Sequence, residues 1–340
     1  MKAKQYVQEQ IMKVSSGVAF AIFVAVGIGF LIQTLGNMTG IEMLFKIGKV
    51  TTVMLAPALG AGIAYKMEVN ALVLFSAMSS ATLGAGAVTI LEDGSLSLVG
   101  GDPVGALIAA TVAVFVGKKI TGTSKLDMIT IPIVTVLIGG VVGVLSSGVI
   151  QPILLQLSQM ISGAVEGSPV VGSMIMSVLF AIALMSPLSS AALSIALALS
   201  PLVNGALLIG TTSQFFAYAF VSWRDNDMGG FLGQLIVTPK LQLPNLIKNP
   251  TVMIGPLLSA AICAPLATVG FGFQAVPEVG GMGFSAFVSP IWLLNNGGLS
   301  ALGIQLLCGA ILPILITYGV NKALYAMHFM HFGDLALSVE

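Results

Sequence analysis

Charge is so scarce in this chain that it limits the solvent in which the chain can fold. Among 340 residues there are 13 Lys or Arg and 13 Asp or Glu, 8% in all, where soluble domains carry about 25%. An ordinary water-facing surface cannot be assembled from so few charges. A charge at the bilayer centre costs about 2.5–3.5 kcal/mol on insertion scales, so long charge-free stretches are what membrane burial selects. Charge-free runs cover 14–41, 50–65, 69–91, 103–117, 128–165, 167–223, 249–277 and 279–321. With roughly 20 residues needed per spanning helix, they predict an all-α polytopic membrane protein of about ten transmembrane helices. It forms one integral domain over 1–340.

The distribution of lysine orients the chain. Lys2, Lys4 and Lys13 precede the first apolar run, Lys118, Lys119 and Lys125 cluster in one loop, and Lys322 follows the last run. The positive-inside bias places all three groups, and both termini, in the cytoplasm. The first run has no small-residue cleavage site after it and is long enough to span, so it is expected to stay attached. Net charge is zero and the basic residues are dispersed, which excludes a nucleic-acid footprint.

Several apolar runs are interrupted where an isolated helix would leave main-chain groups unsatisfied in lipid. Such breaks occur at Ala56-Pro57 to Gly62, at Thr238-Pro239 through Asn249-Pro250, and at Ser289-Pro290 through Gly298. They persist only where protein or a water-filled cavity covers them, and transporters place substrate sites at discontinuous helices. These interruptions also read as kinks or extramembrane turns; three together favour re-entrant hairpins around a pore or pocket. The pairs Gly139/Gly143 and Gly229/Gly233 signal close helix packing.

The available chemistry is neutral. Gly117 and Gly122 have Walker spacing, but Thr123 stands where the lysine belongs. Cys263 and Cys308 lie in apolar runs without metal or redox spacing. His328 and His331 lie together near the end of the sequence, where two ligands do not close a metal site. No cofactor, metal or catalytic residue is expected. The carboxylates fall at run edges, and Glu278 is the one placed to serve a site. What remains is a set of amides and hydroxyls, among them Asn204, Gln214, Gln234, Thr238, Gln242, Asn245, Asn249, Asn295, Asn296 and Gln305. Paired donors and acceptors of this kind suit a sugar or polyol. Gln234, Thr238, Asn245, Asn249, Asn295, Asn296 and Glu278 are the candidate substrate-binding residues.

Three segments carry a resemblance. MLAPALGAGIAYKMEVNALVLFSAM (54–78), ITIPIVTVLIGGVVG (129–143) and GGFLGQLIVTPKLQLPNLIKNP (229–250) are similar, in that order, to segments of the membrane (EIIC) subunit of bacterial phosphoenolpyruvate-dependent sugar phosphotransferase systems. The likeness is to a divergent branch that resembles the perfringolysin membrane regulator. The last segment resembles the family's G-I-T-E-P signature followed by Asn-Pro, with Thr238 in the place of the glutamate. Met185-Ser186-Pro187-Leu188-Ser189 takes the place of the family's Gly-Leu-His-His region, without a histidine. The resemblance implies a homodimeric permease subunit in the bacterial cell membrane, with a sugar site on the re-entrant 229–250 segment. Phosphorylation would come from separate cytoplasmic subunits. A membrane-embedded solute sensor or regulator, or a transporter independent of phosphorylation, is the alternative that the missing Glu and His leave open.

Overall fold

A computed structural model describes residues 2–90, 95–98, 101–186 and 189–337. It contains two compact units, Met1–Leu157 and Ser158–Glu340.

In the first unit, α1 (Lys2–Ile22) continues through a π turn, Phe23–Ile28, into α2 (Gly29–Thr39). Gly40, at φ 69°, ends α2 in the left-handed conformation that glycine adopts without penalty. Helix α3 (Glu42–Val53) folds back against α2, because Gly36 and Gly48 present no side chain: a Cβ at either would overlap the backbone of Phe45 or Gln33. A 57° bend at Met54 separates α3 from α4 (Leu55–Lys66); the interruption expected from Ala56-Pro57 to Gly62 is itself helical, because Pro57 falls in the first turn of α4, where its missing N–H has no partner to lose. Asn70 caps α5 (Ala71–Gly84) by accepting from Val73 N–H at 3.0 Å. Asp102 caps α6 (Pro103–Ile120) by accepting from Val104 and Gly105 N–H, both at 3.0 Å. Between α5 and α6 lies a short antiparallel hairpin, β1 (Val88–Ile90) with β2 (Leu96–Leu98), an element the all-helical reading did not include. Gly139 and Gly143 of α7 (Asp127–Gly167) meet Ser80 and Ala113, and Ala109 and Gly84, so this pair serves close packing inside the unit.

The second unit is built around α10 (Pro201–Val221), buried at every position from Val203 to Ala219. A helix covered on all sides does not need the apolar stripe of a surface helix, and α10 accordingly carries Asn204, Thr211, Thr212 and Gln214. Helices α8 (Pro169–Met185), α13 (Ile254–Pro265) and α16 (Leu312–Ala326) surround it. Gly210 lets α10 approach Ser177 of α8, and Ser177 Oγ donates to the Ala260 carbonyl of α13 at 3.1 Å. The short α9 (Ser190–Leu197) precedes α10. After α10 the chain runs through α11 (Met228–Leu232), α12 (Leu243–Lys248) and α13, then α14 (Pro277–Gly280) and α15 (Val288–Leu306), and on to α16. Irregular backbone separates many of these helices.

Among the described residues, five helices are long and apolar enough to cross a membrane, or six if the bent α3–α4 pair is one span. That is fewer than the ten expected. Breaks divide the apolar runs into pieces, and Ala71–Gly84, at 14 residues, is shorter than a straight span of a bilayer requires. Helix α15 is itself kinked at Gly298, at φ 64° and ψ −165°.

Close approach at glycine yields the first prediction. A Cβ at Gly281 would meet the Ser190 main chain, whereas one at Gly163 meets nothing within 4 Å. Gly281→Ala is expected to destabilise the protein by about 1–3 kcal/mol through overpacking, and Gly163→Ala to be neutral or slightly stabilising. Thermal melts of the purified variants in detergent check the contrast.

Candidate functional site

Two helix breaks of the second unit meet. The first is rich in proline. A π turn, Gly233–Val237, ends at Thr238, whose extended backbone (φ −169°, ψ 136°) leads into a 3-10 turn, Pro239–Gln242. Helix α12 then ends at Asn249, before Pro250 and a second 3-10 turn to Met253. The second break is rich in glycine and runs from Phe271 through α14 to a 3-10 turn, Ser285–Phe287. Gly283, Ala286 and Phe287 all have positive φ, at 60°, 47° and 59°. For Ala and Phe this conformation is strained, and such strain concentrates at ligand clamps and switch regions. Ser285 Oγ donates to the Val237 carbonyl at 3.2 Å and so joins the two breaks beside Thr238.

Amides organise the first break. Gln234 Nε2 donates to Ser222 Oγ at 3.0 Å and to the Gly230 carbonyl at 3.1 Å. Gln242 Nε2 donates to Gln234 Oε1 at 2.9 Å, and Asn245 Nδ2 donates to Gln242 Oε1 at 2.8 Å. The Gln234 and Gln242 oxygens each accept from the next amide, an arrangement in which neighbouring bonds polarise one another. All three side chains are buried. Thr238 stands outside the relay; its Oγ1 accepts from Lys240 N–H at 3.2 Å and caps the 3-10 turn. Asn249 Oδ1 accepts from Thr251 N–H at 3.2 Å, while its Nδ2 donates to Asp334 Oδ2 at 2.8 Å.

Hydroxyls organise the second break. Ser190 Oγ donates to the Gly281 carbonyl at 2.7 Å, Ser194 Oγ to Pro277 at 2.8 Å, Thr211 Oγ1 to Gly280 at 3.3 Å, and Ser289 Oγ to Gly283. Asn204 Oδ1 accepts from Ser194 Oγ at 3.1 Å. Gln305 Nε2 donates to Ser289 Oγ at 2.7 Å and to Thr212 Oγ1 at 3.2 Å, while its buried Oε1 has no hydrogen-bond partner among the described residues. Phe284 packs edge-on against Phe216 at 4.7 Å and Phe287 at 5.3 Å, closing the apolar side of the junction.

The expected site residues therefore divide. Gln234 and Asn245 are brought together through Gln242, Asn249 ends the same segment, and Thr238 lies at the meeting of the two breaks. Glu278 lies on the second break, half-buried at the start of α14. Asn295 and Asn296 are exposed on α15, where Asn296 Nδ2 donates to the Trp292 carbonyl at 2.8 Å. They do not join either cluster. Pro187 and Leu188, matched above to the family's histidine region, lie outside the described residues. The hydroxyls of Ser190, Ser194, Thr211, Ser285 and Ser289 were not anticipated. Their only local signal is the density of Ser and Thr in apolar runs beside the Gly-rich stretch VGGMGFS.

Outside the spanning helices, burial raises the Asp225 carboxyl above its usual range. The N–H groups of Gly333 and Leu335 oppose this shift, and the nearby Asp334 charge reinforces it.

Discontinuous helices whose main chain is satisfied by buried neutral side chains, on a charge-poor helical frame, define a membrane transport protein. The family model described as phosphotransferase system, EIIC, matches residues 12–337. The chain belongs to that family, the membrane sugar-transport subunits of phosphotransferase systems. No curated protein matches it.

The relay gives the second prediction. Gln242→Leu leaves Gln234 Oε1 and the Leu335 carbonyl without this donor and Asn245 Nδ2 without this acceptor. At about 1–3 kcal/mol for each buried group left unsatisfied, its melting temperature in detergent should fall well below that of Asn296→Ala, which should match the parent chain.

Proposed function

We propose that the chain is the permease subunit of a sugar phosphotransferase system, binding a neutral sugar or polyol where its two helix breaks meet. The observation that carries this reading is the Ser285–Val237 hydrogen bond. It sets Thr238 and the strained Ser285–Phe287 turn side by side. Thr238 and Glu278 flank the solute in this proposal, one from each break, and Gln305 Oε1 is an acceptor still open to a hydroxyl. Gln234, Asn245 and Asn249 hold the proline-rich break in shape. Asn295 and Asn296 receive no contact.

The chain acts in this reading as a single domain over 1–340, which the family match across both compact units supports. It works as a homodimer in the bacterial cell membrane with both termini cytoplasmic. The family implies cytoplasmic phosphotransferase partners, and these would supply the phosphoryl chemistry. A second reading, a solute sensor or a transporter independent of phosphorylation, is favoured by one feature. Thr238 occupies the place where the resembling signature carries glutamate, so the site offers a neutral hydroxyl in place of an acid.

Two measurements test the proposal. A thermal-shift screen across sugars and polyols identifies the solute. Thr238→Ala and Ser285→Ala should then each weaken its binding by about 1–3 kcal/mol, roughly 5- to 150-fold, with Asn296→Ala as the unaffected control. Parent-like affinity in both variants would move the pocket away from the junction. Uptake into proteoliposomes with and without phosphorylating partners separates the readings: dependence on the partners supports the permease, transport without them a phosphorylation-independent carrier, and binding without uptake a sensor.

A further inference from the structure

Residues 329–337 follow α16 without forming a helix, and they are held chiefly through their main chain. Asn226 Nδ2 donates to the Leu335 carbonyl at 3.0 Å, and Asn226 Oδ1 accepts from Leu337 N–H at 2.7 Å. Gln242 Nε2 also donates to the Leu335 carbonyl, and Asn245 Nδ2 donates to that of Ala336, both at 2.9 Å. Asn249 Nδ2 and Thr251 Oγ1 donate to the Phe329 carbonyl at 3.1 and 3.0 Å. Among the described residues, one hydrogen bond from this surface reaches a side chain of the segment, that of Asn249 to Asp334.

Two side chains of the segment point inward. Met330 is 1% exposed and Leu335 fully buried, in a cluster with Met185, Tyr218, Leu246, Val252 and Leu324. Phe329 and Phe332 are exposed. Side-chain amides reading main-chain carbonyls, with sockets for two apolar anchors, are the elements of peptide recognition: the main chain supplies affinity and the anchors supply selectivity.

We propose that the surface formed by Asn226, Gln242, Asn245, Asn249 and Thr251 is a peptide-binding groove, whose ligand is the chain's own 329–337 segment, held as a displaceable clasp. Its consequence is mechanical. Gln242 and Asn245 belong both to the relay that shapes the proline-rich break and to the groove, so occupancy of the groove stiffens the break. Tethering through α16 keeps the segment at high local concentration, so a free peptide competes poorly until the tether's anchor is weakened.

The full chain with Leu335→Asp, which removes the deeper anchor, is compared with the parent chain for binding a fluorescein-labelled peptide of residues 328–337 by anisotropy. The variant should bind at least tenfold tighter than the parent. Adding Asn245→Leu to the variant, or placing Leu335→Asp in the peptide, should abolish that gain. No binding by a variant that elutes and melts as a folded protein overturns the proposal, as does equal binding of both peptides. If the variant does not fold, hydrogen exchange of the parent chain decides: amides of 329–337 exchanging faster than those of α10 support a displaceable clasp. Exchange of both at one common rate overturns it.

Discussion

The structure depends on satisfying main-chain polar groups wherever a helix stops inside a charge-poor protein. Away from water, each unpaired N–H or C=O is costly, and the second unit breaks its helices repeatedly. It satisfies the resulting groups in two ways. Around the glycine-rich break, short hydroxyl side chains on α9, α10 and α15 reach carbonyls of Pro277, Gly280, Gly281 and Gly283. Around the proline-rich break, longer amides extend across the gap and bond to one another as well as to the main chain.

Helix α10 makes both solutions possible. Its burial on every side allows polar residues to face the neighbouring elements, and it contributes Asn204, Thr211 and Thr212 to the hydroxyl network. The chain just beyond it contributes Ser222 and Asn226 to the amide network. Rigid support of this sort lets Ala286 and Phe287 keep their positive φ. Strained backbone of this kind persists only where the surrounding structure over-determines it, as it does here.

Membrane class and the positions of the breaks were legible in the sequence. Charge-free runs have one physical explanation at this length, and proline, asparagine and glycine interrupt a helix through local backbone geometry. Of the interruptions read from the sequence, Thr238–Pro250 is broken at both ends and Ser289–Gly298 is kinked at Gly298 alone, while Ala56–Gly62 is helical and the bend falls just before it, at Met54. The span count was less legible. A run's length shows how much apolar chain is available, while the breaks determine how much of it forms one straight helix.

The sequence by itself determined that this chain avoids water, carries neutral polar groups, and interrupts its helices at particular residues, because composition and local dihedral preference act over a few neighbours. Only the tertiary structure decided what those polar groups hold. Gln242 and Asn245 bond to Leu335 and Ala336, more than ninety positions away, and Ser190 bonds to Gly281 at a similar separation. An amide offers the same donors and acceptor to a sugar, a helix end or a peptide strand. Which of these it meets depends on the packing around α10 that brings distant segments within hydrogen-bond reach.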